Sequence, residues 1–281
     1  MKILVTGRGG KSGSWEIRGR QLGTAIGASV VERASLREMQ AADIIVVVKR
    51  ATEDIVERVR ASGRPWVYDM VDGWPQPAGN DWDELDALSW LQGTMSSLKP
   101  TAVVFPTTQM QRDSGFCGKS IVLPHHAWPK YSKLPVKQKV SRIGYEGGEH
   151  YLGKWHKMVD AECRRRGWEF VVNGDMSSCQ IGVALRDVNG YPAGAWKANT
   201  KLANLQALGI PAVISDESSY SEFGSSAQIV VKTKDDLSCA FDALESFGSR
   251  ERIGVVAQKA APRLHDVAKA YREWLCEVAS S

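Results

Sequence analysis

Short apolar runs alternate with segments of helical periodicity along the whole chain. The first half opens with an apolar run at 2–6, a glycine-rich turn at 7–13 and a helical pattern from Trp15 to Ile26. The run 44–48 is continuous and β-branched, which is typical of a buried strand in a parallel sheet. Further strands are predicted at 29–31, 66–69, 102–105 and 120–123, and further helices at 36–42, 52–62 and 81–98. This alternation indicates a doubly wound parallel sheet.

The alternation starts again after residue 140. A strand at 141–145 leads into a second glycine turn, Glu146–Gly148, and a helix at 150–166. Strands are then predicted at 169–172, 181–185, 211–214 and 229–231, and helices at 200–208, 235–246 and 250–278. The sequence therefore predicts an α/β fold of two Rossmann-like domains that face each other across a cleft. We place them at 1–135 and 136–258, followed by a C-terminal helix at 259–281.

The composition is that of an ordinary globular protein, because 43% of the 281 residues are hydrophobic and 24% are charged. This excludes collagen-like, low-complexity and largely disordered chains. The longest aliphatic stretch, Ile44 to Val48, is far shorter than the roughly 18 residues of a membrane span. The N-terminus lacks a signal-peptide pattern, and the five cysteines have neither disulfide nor zinc spacing. We expect a soluble, cytoplasmic monomer.

Charge is distributed unevenly along the first half. Residues 65–98 contain six acidic and no basic side chains, whereas 99–142 contain eight basic side chains against Asp113 alone. A basic segment attracts phosphates, nucleic acids or acidic lipid headgroups. Its part from Lys130 to Lys139 also contains prolines, which is equally typical of a solvated linker.

The first glycine turn has the composition of an anion site, because backbone amides and the dipole of the next helix favour negative charge there. The candidate phosphate- or acceptor-binding residues are Gly9, Gly10, Ser14 and Arg18. The turn is not a nucleoside-triphosphate loop, and it matches a dinucleotide fingerprint only in part, since Ser12 replaces the third glycine. The start of the chain resembles short-chain dehydrogenases, but no tyrosine is followed four residues later by lysine. An NAD(P)-dependent oxidoreductase stays open as an alternative.

A stronger signal lies at 197–214. Asn199 or Thr200 is expected to cap a helix whose first turn carries Lys201, which adds a fixed cation to a helix N-terminus. Gly209 ends this helix and Pro211 opens a buried strand. Polar groups in such a segment are hard to explain as core packing, because burying them without partners is unfavourable.

This segment resembles the C-terminal domains of GT-B nucleotide-sugar glycosyltransferases, where a helix ending in Ala-x-Gly-x-Pro holds the diphosphate of the donor. The second glycine turn and the long final helix also fit, which implies that this helix returns to the first domain. The resemblance extends to small virus-encoded or bacterial members. It implies a nucleotide-diphosphate sugar, UDP-linked by preference, as co-substrate, with no permanent cofactor and no metal. The donor-binding residues that it implies are Gly147, Gly148, Lys197, Asn199, Thr200, Lys201, Asn204 and Glu222.

The sequence departs from this family at one pair of positions. Many retaining members carry two glutamates where this chain has Trp196 and Asn204. The acidic contacts to sugar and ribose are therefore missing or are made by other residues, for which Glu217 and Glu222 are the candidates. A non-catalytic nucleotide-sugar or nucleic-acid binding protein is thus a second alternative.

Four side chains are candidates for catalysis, because they follow predicted strands of the first sheet or lie at the domain junction. Asp69 and Asp72 could act as the base that deprotonates an acceptor hydroxyl, or they could only cap a turn. His125 and His126 could act as a base, a phosphate donor or a sugar contact. The triplet 81–83 spells the Asp-x-Asp of metal-dependent transferases, but it is interpreted as the cap of a helix.

The acceptor is open between two classes. A hydroxymethylated DNA base would suit the positive charge of 99–142, since some virus-encoded members of this fold class modify such bases. A lipid-linked or polysaccharide acceptor of the bacterial cell envelope is equally compatible with a basic face.

Overall fold

The computed structural model describes residues 1–73, 81–187 and 189–280. Its first half contains a six-stranded parallel sheet of order β2-β1-β3-β4-β5-β6. The strands are β1 Ile3–Gly7, β2 Ser29–Glu32, β3 Ile44–Val48, β4 Trp66–Asp69, β5 Ala102–Phe105 and β6 Lys119–Val122. Every residue of the central strands β1, β3, β4 and β5 is buried, so helices cover both faces of this part of the sheet.

The helices of this half begin with α1, a π-helical turn at Trp15–Leu22 that continues as Gly23–Ala25. The others are α2 Leu36–Gln40, α3 Glu53–Ser62, α4 Glu84–Leu98 and α5 Thr108–Asp113. Local chemistry fixes two of the helix starts. Ser35 and Glu38 form a reciprocal capping box on α2, and the carboxylate of Asp83 accepts from Asp86 N at the start of α4.

The second half contains a five-stranded parallel sheet of order β11-β10-β9-β7-β8. Its strands are β7 Arg142–Tyr145, β8 Glu169–Val172, β9 Ile181–Ala184, β10 Ala212–Ile214 and β11 Gln228–Val230. Its helices are α6 Lys154–Arg166, α7 Tyr191–Ala195, α8 Thr200–Leu208, α9 Ser218–Phe223, α10 Lys234–Glu245 and α11 Phe247–Ala260. The chain ends with α12, Leu264–Ala279.

The continuous helix predicted at 250–278 is wrong, because α11 and α12 are separate. Pro262 cannot donate a backbone hydrogen bond, and the residue before a proline avoids the helical conformation. Pro262 O accepts instead from Ala127 N at 2.8 Å. After this break α12 packs against the first sheet, where Tyr271 and Leu275 share a buried cluster with Val5 of β1.

Close packing sets the position of α8 on the second sheet. A Cβ atom on Gly182 of β9 would lie within 2.6 Å of Leu205 Cδ1, so only a glycine lets this helix approach the strand so closely. The N-terminus of α8 thereby lies near the carboxyl end of β9, which is the edge where ligands bind in parallel sheets. No helix of the described ranges is long and apolar enough to span a bilayer.

Candidate active site

Residues that follow β4 and β5 form hydrogen bonds with the second half of the chain. Gly73 N, four residues after β4, donates to Trp196 O at 2.9 Å, and Lys197 Nζ donates back to Gly73 O at 3.3 Å. Thr107, which follows β5, donates its hydroxyl to Ala195 O at 2.9 Å. The segment just before α8 is therefore held against the first sheet.

Three cationic side chains converge on the N-terminus of α8. Arg186 follows β9, is buried, and pairs with Glu217 at 3.1 Å from Nε to Oε1. Lys201, in the first turn of α8, lies 5.4 Å and 5.6 Å from the ring centroids of Tyr145 and Tyr151. Lys197 is buried beside them. Among the described residues, Glu217 is the carboxylate that forms an ion pair within this cluster, whereas Asp72 and Glu146 attract the lysines from its edge.

Both lysines of this cluster have lowered pKa values, chiefly because they are buried. Burial lowers the pKa of Lys201 to about 7, and the positive charges of Arg186 and Lys197 add to the effect. Burial likewise lowers the pKa of Lys197 to about 8, against the attraction of Asp72. Clustered cations of this kind are unfavourable until an anion compensates them. The cluster therefore has the electrostatics of an anion site.

The second glycine turn lies directly beside Lys201. Gly147 has φ +143°, and a Cβ atom there would lie 2.7 Å from Lys201 Cε. Its backbone N–H donates to Asn173 Oδ1 at 2.8 Å, while Gly148 O accepts from the Tyr145 hydroxyl at 2.9 Å. The structure thus brings together the glycine turn and the lysine that the sequence assigned to one donor site.

Asn199 does not cap α8 with its side chain. Its Oδ1 accepts from His125 N at 2.8 Å, and its Nδ2 donates to His125 O at 3.4 Å. Thr200 Oγ1 contacts His125 Nδ1 at 2.7 Å. Because these groups are engaged with the first half, they hold His125 and α8 together rather than facing open space.

Trp196 and Asn204, which stand at the two glutamate positions discussed in the sequence analysis, contact the first half or nearby loops. Trp196 is fully buried and donates from Nε1 to Asp113 Oδ2 at 2.7 Å. Asn204 accepts from Trp128 N and donates to Glu146 Oε2, both at 2.8 Å. These two side chains therefore fix the junction between the halves and the turn at 146–148.

Asp69 is buried at the end of β4. Its Oδ1 accepts from Val71 N at 3.1 Å, and Arg18 Nε lies 3.9 Å from Oδ2. Burial raises the pKa of Asp69, although Arg18 opposes the shift. Val71 has φ +65°, a strained conformation for a β-branched residue, and the contact with Asp69 holds it.

The sequence analysis expected Arg18 to lie on the surface, where it could bind an anion beside the first glycine turn. The structure places it in the interior instead. It is only 2% exposed, and its guanidinium donates to Leu123 O at 2.5 Å beneath the loop that carries Asp69. Its burial agrees with the helical period, since Arg18 lies three residues after Trp15 and four before Leu22, which are both buried; the charge of Arg18, not its spacing, suggested an exposed position.

Asp72 is the carboxylate of this loop that solvent reaches, since its side chain is 22% exposed whereas Asp69 is 1% exposed. Lys49 Nζ lies 2.7 Å from Asp72 Oδ1 and donates to Ser14 Oγ at 3.1 Å. Burial lowers the pKa of His125 well below its ordinary value and that of His126 to about 4, so both rings are neutral at pH 7. Of the four catalytic candidates, Asp72 is the one whose side chain is accessible to solvent.

The first glycine turn is occupied by a side chain of the protein itself. Gly10 N donates to Glu32 Oε2 at 3.2 Å, and a Cβ atom on Gly9 would collide with this carboxylate. Glu32 also accepts from Trp15 Nε1 at 3.0 Å. An anion cannot reach the amide of Gly10 without displacing Glu32.

Two acidic candidates have other partners. Glu222 accepts from Thr108 N at 2.8 Å and from its hydroxyl, so it spans the two halves. Asp83 caps α4, as the sequence predicted. Within the described ranges, no three metal-binding side chains cluster.

The basic residues of 99–142 do not form a single face. Lys119 donates to Glu277 O, Lys137 donates to Ser178 O, and Arg142 pairs with Glu169. These contacts lie on different parts of both halves. The segment therefore lacks the continuous basic stripe that an extended polyanion would require.

Sequence reasoning missed Arg186, Tyr145 and Tyr151. The available signal for Arg186 was its position directly after the apolar run 181–185, at the carboxyl edge of a predicted strand. Its pairing with Glu217 joins residues 31 positions apart, so it becomes visible only in the folded chain.

Known proteins share this fold without a detectable sequence relationship. No family profile and no curated protein matches the chain. HepE of Anabaena, in complex with UDP and glucose, matches with a TM-score of 0.68 at 12% identity, over 99% of this chain and all of that one. The sucrose-phosphate synthase of Thermosynechococcus elongatus matches with 0.65 at 10% identity over 100% of each chain. A glycosyltransferase of Rickettsia africae matches with 0.65 at 10% identity, over 99% and 98%.

The chain therefore has the two-domain α/β fold of GT-B nucleotide-sugar glycosyltransferases, as the resemblance at 197–214 predicted.

Proposed function

We propose that the protein is a glycosyltransferase that moves a sugar from a UDP-sugar to an acceptor hydroxyl, in a cleft between its two domains. The observation that carries this proposal is the unbalanced cation cluster of Arg186, Lys197 and Lys201 beside the turn Gly147–Gly148. The fold supports it, and HepE, which shares that fold, has been crystallised with UDP-glucose.

The proposed chemistry requires stabilisation of the departing diphosphate and a base for the acceptor hydroxyl. The acceptor hydroxyl attacks the anomeric carbon, the bond from that carbon to the diphosphate oxygen breaks, and UDP departs with the electron pair. The cation cluster stabilises the charge that develops on the departing diphosphate. Asp72 takes the proton of the acceptor hydroxyl. Its contact with Lys49 holds the side chain in place.

Asp69, His125 and His126 act as positioning residues in this proposal, because they are buried. Asp69 holds the Val71 backbone and thereby the loop that presents Asp72. His125 contacts Thr200, which precedes Lys201 in α8.

The oxidoreductase alternative requires a dinucleotide at the first glycine turn, where Glu32 lies over the Gly10 amide. Titration calorimetry with UDP, UDP-glucose, GDP and NADH separates these readings. We expect UDP and UDP-glucose to bind wild-type protein, and Lys201→Ala to weaken both at least tenfold. Lys234→Ala is the matched control, since Lys234 also lies in the first turn of a helix of the second half but is exposed.

Equal affinity of both variants for UDP would refute the diphosphate site. Binding of NADH without UDP would refute the glycosyltransferase proposal. Binding of UDP-glucose without any release of UDP, in the presence of acceptor mixtures or water, would support a non-catalytic binding protein instead.

A further inference from the structure

The first sheet carries a second group of cations, remote in sequence from the donor cluster. Three neighbouring strands, β2, β1 and β3, are each followed at once by basic side chains: Arg33, Arg8, and Lys49 with Arg50. Together with Lys11 these residues line a cavity of about 520 Å³. That volume is in the range of a small-molecule site.

Positive charge is in excess in this basic pocket. Glu32 is the one acidic side chain in its lining, and it is already bound by Gly10 N, Trp15 Nε1 and Arg20 Nη2. The backbones of Arg33 and Lys49 have φ +50° and +61°, which is uncommon for residues other than glycine. The lining therefore contains five cationic side chains and one carboxylate in one compact space.

An apolar groove adjoins the basic pocket. Its cavity of about 660 Å³ is lined by Tyr68, Trp90 and Leu98, and Arg8 and Arg50 belong to the lining of both cavities. Gly93 of α4 also lines the groove, and a Cβ atom there would meet no other atom within 4 Å. The two cavities thus form one continuous surface that is cationic at one end and apolar at the other.

We propose that this surface binds the acceptor, and that the acceptor is a sugar joined through a phosphate or diphosphate to an apolar alcohol, so that a hydroxyl of this sugar is the one that attacks. The anion occupies the basic pocket and the apolar chain lies along the groove. This inference rests on the proposed function. Lys49 both lines the pocket and contacts Asp72, so an acceptor held there lies beside the proposed base.

The observations favour this amphiphilic ligand over a nucleic acid. A duplex is recognised by a stripe of phosphate contacts along its backbone. Here the cations of the basic pocket lie together around one cavity. The basic residues Lys119 and Lys137 do not extend this group, because they contact carbonyls in other parts of the molecule. The apolar groove, moreover, would remain unused by a phosphodiester backbone.

The test is calorimetry at saturating UDP, which fills the donor site, with four probes. These are farnesyl diphosphate below its micellar concentration, farnesol, inorganic pyrophosphate and a short DNA duplex. We expect farnesyl diphosphate to bind most tightly, pyrophosphate more weakly, and farnesol and the duplex not measurably.

Two pairs of variants locate the ligand. Arg33→Gln should weaken farnesyl diphosphate and pyrophosphate at least tenfold, whereas Arg37→Gln, on the exposed surface of α2, should weaken neither. Gly93→Leu should weaken farnesyl diphosphate at least tenfold and leave pyrophosphate unchanged, because it fills only the groove. Its control is Gly194→Leu, which projects into open space in a different cavity between the halves.

Three results would overturn the proposal. The first is that protein which binds UDP fails to bind farnesyl diphosphate, and the second is that Arg33→Gln or Gly93→Leu leaves this binding unchanged. The third is that the duplex binds, that Arg33→Gln weakens its binding and that Gly93→Leu does not. Failure of UDP-glucose to bind would refute the proposed function by itself. In that case the Arg33 and Gly93 variants still decide whether the surface takes an amphiphilic phosphate.

Discussion

Donor affinity should depend on pH through Lys201. With a pKa of about 7, this side chain is half neutral at pH 7 in the free protein. A bound diphosphate favours the ammonium form, so binding takes up a proton and affinity falls as pH rises through 7. If binding restores the pKa of Lys201 from about 7 to its ordinary value, donor affinity falls about 25-fold from pH 6.5 to 8.5. Lys197, with a pKa of about 8, adds about fourfold.

The assay is calorimetry with UDP-glucose, whose diphosphate diester keeps its charge over this range. We expect about a 100-fold loss of affinity for wild-type protein from pH 6.5 to 8.5, and about fourfold for Lys201→Arg, because a guanidinium stays charged. Buffers of different ionisation enthalpy should report uptake of about one proton at pH 7.5 by wild-type protein and about a quarter by Lys201→Arg. An identical pH slope in both proteins, or a flat profile in wild-type protein, would refute the electrostatic reasoning.

Three further predictions concern stability and turnover. Lys201→Met should stabilise the free protein at pH 7 by about 4 kcal/mol and weaken donor binding at least tenfold, since it removes a charge that burial disfavours; by pH 10.5 most of the gain in Tm should vanish, because the lysine is then neutral in the folded state and about half neutral in the unfolded state. Asp72→Asn should slow UDP release from UDP-glucose about 100-fold or more with donor affinity changed less than about threefold, which kinetics and calorimetry together would check. Asp69→Ala should destabilise the protein by about 2 kcal/mol in urea unfolding, because the buried N–H of Val71 and the buried Arg18 lose their partner; wild-type stability would contradict the positioning role.

Most of the strands were predictable because buried parallel strands are encoded locally. The β-branched run 44–48 and the runs 66–69 and 102–105 coincide with β3, β4 and β5. The helices α5, α7 and α9 were not predicted, since five or six residues are too short to show a period. The break between α11 and α12 was predictable from Pro262 and was overlooked.

The site was less accessible to sequence reasoning, because its electrostatics depend on long-range pairing. A helix start at Lys201 is a local feature, whereas the contact of this lysine with Gly147 and its repulsion by Arg186 arise from the order of strands in the sheet. Arg18 shows a different error, since its charge suggested an exposed position although its spacing from Trp15 and Leu22 places it on the buried face of the helix. Sequence reasoning named Gly9, Gly10 and Ser14, which line the basic pocket, but it missed most of the cations, because these follow three strands that are adjacent in the sheet but separated in the chain.

Side chains before and along α8 tie the segment around Lys201 to the rest of the molecule. Trp196 bonds to Asp113, Asn199 and Thr200 bond to His125, and Asn204 bonds to Trp128, so these four side chains are engaged with the first half or with the segment that follows it. A separation of the halves that moved α8 would break these hydrogen bonds at about 1 kcal/mol each. The donor cations and the loop that presents Asp72 are therefore positioned together, and an anion that joins Arg186, Lys197 and Lys201 stabilises the same arrangement that aligns the proposed base.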